Sequence, residues 1–297
     1  MRWAYFEQVS RYNVSMAVQN LPEAEGALGR KDILRGQGSA LYAAGRYKEA
    51  LSRFHEVLVL NPDDYEVWVL HGFSLAAENQ FEASIDSFNK SLAISPRYAL
   101  AWHGKGHALA KMGYFEEAAT YLKRAVIFDP KDGKAWYNLG TAQNRLGRYH
   151  ESIASFEHSI SINKQDYHAY FNKGVALCGV QRYEDALKTL HQALHLKPNA
   201  YYIWNQRGTT LIQMGRFKEA IESFDRSLKC QAHNPNAWYG KARAHAMQKD
   251  LVSTLQALYR TFVLSPYMYR VMVQLDAHFD GLRQDPEFQR MINTSAI

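Results

Sequence analysis

Cysteine is almost missing from this chain: among 297 residues there are only Cys178 and Cys230. Two thiols so far apart supply no disulfide framework. Cys230 falls on the apolar side of its segment and reads as a small core residue, and nothing around Cys178 would activate a thiolate. Long apolar runs are missing too, since none approaches the roughly 20 residues that cross a bilayer. The opening MRWAYFEQVSRYNV carries Glu7 and no apolar stretch of secretion-signal type, which points to a soluble, cytoplasmic protein. No glycine-rich phosphate loop, nucleophile elbow or paired-carboxylate motif occurs, so we expect no enzyme and no cofactor. Nor are the basic residues bunched. The net charge of +6 comes from 35 Lys and Arg against 29 Asp and Glu, spread along the chain. It reads as solvated faces, with acidic partner surfaces as the next reading.

What the chain does have is a period. The stretch Gly133–Asp166 carries Trp136, then Leu139-Gly140, Gly147-x-Tyr149, Ile153, Phe156 and Ile160, and the pattern returns every 34 residues. Taking Trp136 as marker, the equivalents are Leu34, Trp68, Trp102, Tyr170, Trp204 and Trp238. A small residue follows four positions later in every copy, from Gly38 to Ala242. Thirteen positions after the marker stand Tyr47, Phe81, Phe115, Tyr149, Tyr183, Phe217 and finally Leu251. A fixed period of this kind decides the architecture before any local reading does.

One copy reads as a helix hairpin. A first helix, A, covers about Lys134 to Leu146, with Gly140 allowing close approach of the second. Gly147 ends it, because glycine takes the left-handed conformation that a helix terminus favours. Helix B covers about His150 to Ile162, with Ile153, Phe156 and Ile160 on one apolar face. Pro62, Pro96, Pro130, Pro198 and Pro266 close most copies, since proline cannot continue a helix. Lys164 replaces it once, and Pro235 falls later, which predicts a different turn after Cys230.

A 34-residue repeat with Trp, Leu-Gly, a Tyr/Phe-x-x-Ala step and a closing Pro resembles the tetratricopeptide repeat. The residue before the glycine departs from that pattern, becoming Lys105, Lys173, Arg207 or Lys241, a bacterial-looking variant. The resemblance implies an all-α, right-handed superhelical solenoid of stacked antiparallel helix pairs, with helices A lining a concave groove. It covers seven repeats over residues 31–268. Residues 1–30, with Trp3, Phe6 and Val9 on one helical face, read as an N-terminal cap, the alternative being a segment that folds back into the concave groove. Residues 269–297 read as C-terminal capping helices: one more helix A over Tyr269–Gly281 with Val271, Leu275 and Phe279 inward, then a short helix from Pro286 with Phe288 and Ile292. End repeats need such covers.

The groove residues follow from the register, one, two and five places past each marker. Asn138, Asn172 and Gln206 stand at one repeat position in successive copies, and a row of amides can pair with an extended peptide backbone. Val69, Phe73, Tyr137, Phe171 and Tyr239 would add apolar contact, with Asn205 and Arg243 on the same wall. His103 and His107 stand one helical turn apart, a metal-compatible spacing, yet no Glu, Asp or Cys is placed to complete a site. Lys111 and Arg145 add positive charge that suits acidic residues on a ligand. The cation–asparagine pairs of a chaperone carboxylate clamp, another use of the family, are not present. The expectation is a protein-protein interaction scaffold, an adaptor or complex-assembly factor, holding a peptide or protein with acidic or aromatic residues. The alternative is an RNA-binding helical-repeat protein, weakened because the inward positions are mostly neutral. The sequence leaves the oligomeric state open.

Overall fold

A computed structural model describes residues 29–293; the expected N-terminal cap, with Trp3, Phe6 and Val9, lies outside them. The chain divides into two compact units, one ending at Arg148 and the other beginning at Tyr149. The first holds α1 (Arg30–Ala43), α2 (Tyr47–Leu60), α3 (Tyr65–Ala77), α4 (Phe81–Ile94), α5 (Ala99–Lys111), α6 (Phe115–Phe128) and α7 (Gly133–Arg145). The second holds α8 (Tyr149–Ile162), α9 (Tyr167–Gly179), α10 (Tyr183–Leu196), α11 (Tyr201–Gln213), α12 (Phe217–Cys230), α13 (Pro235–Met247), α14 (Leu251–Leu264) and α15 (Pro266–Leu275). A 3-10 segment (Ala277–Leu282) and α16 (Pro286–Asn293) complete it. Both units are all-α repeat solenoid, in which each helix packs on its chain neighbours within the unit.

The repeat pattern maps onto the helices residue by residue. The aromatic thirteen places past each marker is the first residue of each second helix, from Tyr47 to Phe217, with Leu251 in the last copy. Two places before it the backbone enters the left-handed region in every copy: Gly45, Gly113, Gly147 and Gly215, but also Asn79, Gln181 and Lys249 at φ of 59–60°. The tight turn therefore overrides residue type at a cost of order 1 kcal/mol at the non-glycine sites. Four markers donate their indole N–H to a proline carbonyl six residues back, as Trp68 does to Pro62 at 2.7 Å and Trp136 to Pro130 at 3.0 Å. Marker and proline thus lock one inter-repeat turn. They are lost together where Lys164 and Tyr170 stand. The turn after Cys230 does not differ as expected. It spans the same four residues as the others, and Pro235 opens α13, while Trp238 bonds the Ala232 carbonyl at 3.3 Å.

Close packing sets the core. The ring of Phe88 is fully buried between Gly72 and Gly104, where an added Cβ would stand 2.7 and 2.3 Å from it. Phe224 sits in the same slot between Gly208 and Gly240, at 2.7 and 2.4 Å. These glycines are required by contact, since real Cβ atoms do not approach so closely.

The end of the second unit departs from the expected helix A. Proline suits the first turn of a helix, so α15 starts at Pro266, directly after α14. It buries Tyr269 and Val273 and leaves Val271 and Leu275 in solvent. Those two lie two residues, about 200°, around the helix from the expected inward face. The 3-10 segment, with Phe279 buried, packs against α13 beside Tyr269 of α15, which donates to Asn236 at 2.6 Å. Phe288 and Ile292 of α16 are buried as the pattern indicated.

Candidate functional site

At Arg35, His103 and Tyr239 the position one past the marker links helices rather than lining a wall. In the first unit Arg35 meets Asp64 at 3.9 Å and bonds Glu66, and His103 Nδ1 lies 2.9 Å from Asp132 Oδ2. Asp64 and Asp132 are the caps at the start of the next first helix, each accepting backbone N–H groups with its Oδ1. Where the cap position is apolar, so is its partner. Val69 shares a core cluster with Tyr98, and Phe171 shares one with Ala200. Three groove expectations are therefore corrected. Val69 is 2% exposed and Tyr239 6% exposed, both consumed by the core. His103 is likewise buried.

In the first unit His103 opens a polar network. Asn138 Nδ2 is 2.9 Å from His103 Nε2 and 3.5 Å from His107 Nδ1. The amide nitrogen thus lies between the two imidazoles, and Asp132 faces the other ring nitrogen of His103. Burial pushes the Asp132 carboxyl up, but the His103 hydrogen bond and charge, with the backbone N–H groups of Ala135 and Lys134, outweigh it and hold it below the usual carboxylate range. Burial, and then the charges of His103 and Lys111, lower His107 to about 4. At neutral pH it is an uncharged acceptor. Among the described residues no three His, Cys, Asp or Glu side chains converge as metal ligands. Phe73 is half-buried, edge-on to Phe88 at 5.1 Å, and Tyr137 is half-buried on α7.

The second unit holds the other amides. Gln206 Nε2 donates to Cys178 Sγ at 3.7 Å, and that sulfur lies 3.2 Å from Thr210 Oγ1. Phe171 stands edge-on to Tyr202 at 5.0 Å. Asn172 and Asn205 are half-buried, and Asn205 Oδ1 is a buried acceptor without a partner. The donor ends of Asn138 and Gln206 are thus occupied within the scaffold. Cys230 is exposed, contrary to expectation, because it is the last residue of α12 and extends past the buried Phe224 and Ser227.

Tyr239 and Arg243 form a second network, at the end of α13. Tyr239 donates to Asp276 Oδ2 at 2.7 Å, Arg243 Nε lies 3.1 Å from the same oxygen, and His278 Nδ1 is 2.6 Å from Asp276 Oδ1. Burial raises the Asp276 carboxyl, yet the Tyr239 hydroxyl, the His278 contacts and the Arg243 charge bring it below its ordinary value. Burial and the bond to Asp276 push the Tyr239 phenol well up. The sequence reading did not find Asp276 or His278, because they lie beyond the last repeat.

Cations divide into tethered and open. Those before the small packing residue are tethered: Lys105 to Asn89, Lys173 to Glu157 and Lys241 to Asp225, at 2.7–2.8 Å, and Arg207 to Ser223. Lys90 and Arg124 stand over the rings of Trp68 and Trp102. Lys111 and Arg145 occupy one repeat position, nine past the marker, in the last turns of α5 and α7. Both are exposed, and neither makes an ion pair with a described residue.

The chain belongs to the tetratricopeptide repeat family, whose sequence pattern matches residues 35–99, 103–166, 171–235 and 205–268. No curated protein matches it in sequence. Among solved structures it is similar to YrrB, described as a tetratricopeptide protein with an unusual peptide-binding site. The identity is 20% and the TM-score 0.59, over 63% of this chain and 97% of that one. It is also similar to the C-terminal part of a repeat protein from Cytophaga hutchinsonii, at 17% identity and TM-score 0.63, over 84% and 99% of the two chains. A third likeness is to the Cut9–Hcn1 assembly of the APC/C, at 16% and 0.62, over 93% and 51%. At these identities the likeness shows the fold. The family itself makes this a helical interaction scaffold, and no helix among the described residues is long and apolar enough to cross a membrane.

Proposed function

We propose that the chain is a non-enzymatic, cytoplasmic adaptor that helps hold a larger complex together by binding an extended peptide or protein segment along its first helices. The observation that carries this reading is the contrast among cations. Those before the small packing residue are tied to the scaffold, while Lys111 and Arg145, equivalent residues of successive hairpins, make no ion pair with a described residue. Beside them lie uncharged His107 and the half-buried Phe73 and Tyr137. Such a surface suits a ligand with acidic side chains and an aromatic or aliphatic residue between them. Asn138 keeps its carbonyl oxygen for a ligand backbone N–H, while its own N–H is spent on histidine. In the second unit, Phe171, Asn172, Asn205 and Gln206 supply the equivalent contacts. RNA would need open aromatic faces for base stacking, and cations occupy the Trp68 and Trp102 faces.

The test is selection from a random peptide display library, followed by affinity measurement with the Lys111→Ser/Arg145→Ser variant. Enrichment of acidic peptides, with affinity at least about tenfold weaker for the variant, supports the reading. Selected peptides without acidic residues, or equal binding by both proteins, would sink it.

A further inference from the structure

The exposed apolar side chains are densest at one place in the second unit. Helix α15 exposes Tyr267 (81%), Met268, Val271, Met272 and Leu275 (79%), and buries only Tyr269 and Val273 in the core. Residues 267, 271 and 275 are one turn apart, with 268 and 272 beside them, so the five make a single stripe. Tyr259 and Val263 extend apolar exposure onto α14. Helix α15 reaches α13 through Tyr269, which donates to Asn236 at 2.6 Å and packs on Tyr239, and its opposite side is left uncovered among the described residues. A helix that exposes more apolar surface than it buries marks an interaction surface.

We infer that this stripe is a self-association surface through which two copies of the chain form a two-fold dimer. A two-fold contact sets a patch against itself, so any charge in it would face its like. The stripe has none. Arg270, the charged residue of α15, is turned away, donating to the carbonyl oxygens of Met291 (2.6 Å) and Ile292 (3.3 Å) and standing over the Phe262 ring. A helix lying on a membrane would instead carry cations on its polar side. Area agrees as well. At roughly 100 Å² for each exposed apolar side chain, the five on α15 provide about 500 Å² per copy. A pair removes about 1,000 Å², the size at which a specific interface begins. The inference does not depend on the peptide reading, which concerns other residues.

The test is sedimentation velocity of the full chain from about 1 to 100 μM, with Val271→Glu/Leu275→Glu as the variant. Both residues are exposed, so circular dichroism should be unchanged. Wild type should approach twice the chain mass, and the variant should remain at the chain mass, with dimer affinity at least about 100-fold weaker. A monomeric wild type at 100 μM would overturn the inference, whatever else covers the stripe. So would a variant that still dimerises, or a wild-type mass that keeps rising past two copies. Should the double variant fail to fold, Tyr267→Lys on the same stripe gives the same reading.

Discussion

In the first unit His103 reaches Asp132, 29 residues on. At the end of the second, Tyr239 reaches Asp276, 37 residues on, past an additional helix. In both places a side chain one past the marker grips a carboxylate that caps the following element. The link is kept although the chain between its ends grows by eight residues and the following element changes from an α-helix to a 3-10 turn. What the stack preserves is therefore a cap joined to the preceding first helix, and the connecting chain is free to vary. Helix α15 is what that freedom admits.

The two units share their core slots, and the largest effect tests whether the sharing is energetic. Phe88→Ala and Phe224→Ala each empty a slot between two glycines and should cost about 3–5 kcal/mol. Urea denaturation should show nearly equal losses. A loss at one site under half that at the other would mean that the slots collapse differently.

The carboxylate links come next. Asp276→Ala strands Tyr239, Arg243 and His278, and Asp132→Ala strands His103 and removes a cap. We expect about 2–3 kcal/mol at Asp276 and about 1–2 at Asp132, since only the former holds a partly buried arginine and a phenol together. Limited proteolysis should show new cleavage after residue 276 in the first variant alone.

Much of this architecture was legible. The period located the second helix of the reference repeat to within one residue, at about His150 against the observed Tyr149, because an aromatic or leucine at a fixed offset is a one-dimensional signal. The site was less legible. Periodicity says that Val69, His103 and Tyr239 share a face, but whether that face meets a ligand or the next cap depends on where a residue about 30 positions away arrives in space. A signal was present nonetheless. Polarity matches between the two positions, Arg35 with Asp64, His103 with Asp132 and Val69 with Tyr98. It becomes meaningful once the link is known. Val271 and Leu275 were misassigned because the 34-residue register ends at Pro266, and a shift of two residues turns a helix by about 200°.

Acid should separate the units further. Burial, with the positive charges of His55 and Lys90, lowers His71 to about 4, as burial with those of His103 and Lys111 does His107. Both lie in the first unit; in the second, burial lowers His245 on α13 as well, so the comparison is with α9 and α11. A histidine with a lowered folded value contributes stability that is complete above its unfolded value near 6.5 and lost as pH falls toward about 4. Hydrogen exchange at pH 7 and 5 should show α3 and α5 losing protection before α9 and α11, and His107→Gln should flatten the slope. Equal loss in both units would overturn this assignment.

The indole-to-proline bond offers a smaller contrast. Trp136→Phe removes one hydrogen bond to Pro130 and should cost about 1 kcal/mol. Tyr170→Phe, at the marker where Lys164 stands in place of proline, should cost less, which paired thermal melts would reveal.

The smallest effect on stability belongs to the residues with the largest proposed role. Lys111 and Arg145 are exposed and make no ion pair with a described residue, so Lys111→Ser and Arg145→Ser should each change stability by under about 0.5 kcal/mol. Lys241→Ser, which breaks a 2.7 Å pair with Asp225, should cost slightly more, near 0.5–1 kcal/mol, because that cation is partly shielded from water. The order matters more than the sizes. If the open cations prove as costly to remove as the tethered one, they are part of the scaffold, and nothing sets them apart for a ligand. If they are free to change while peptide affinity falls, the same two positions are dispensable to the fold and required for binding.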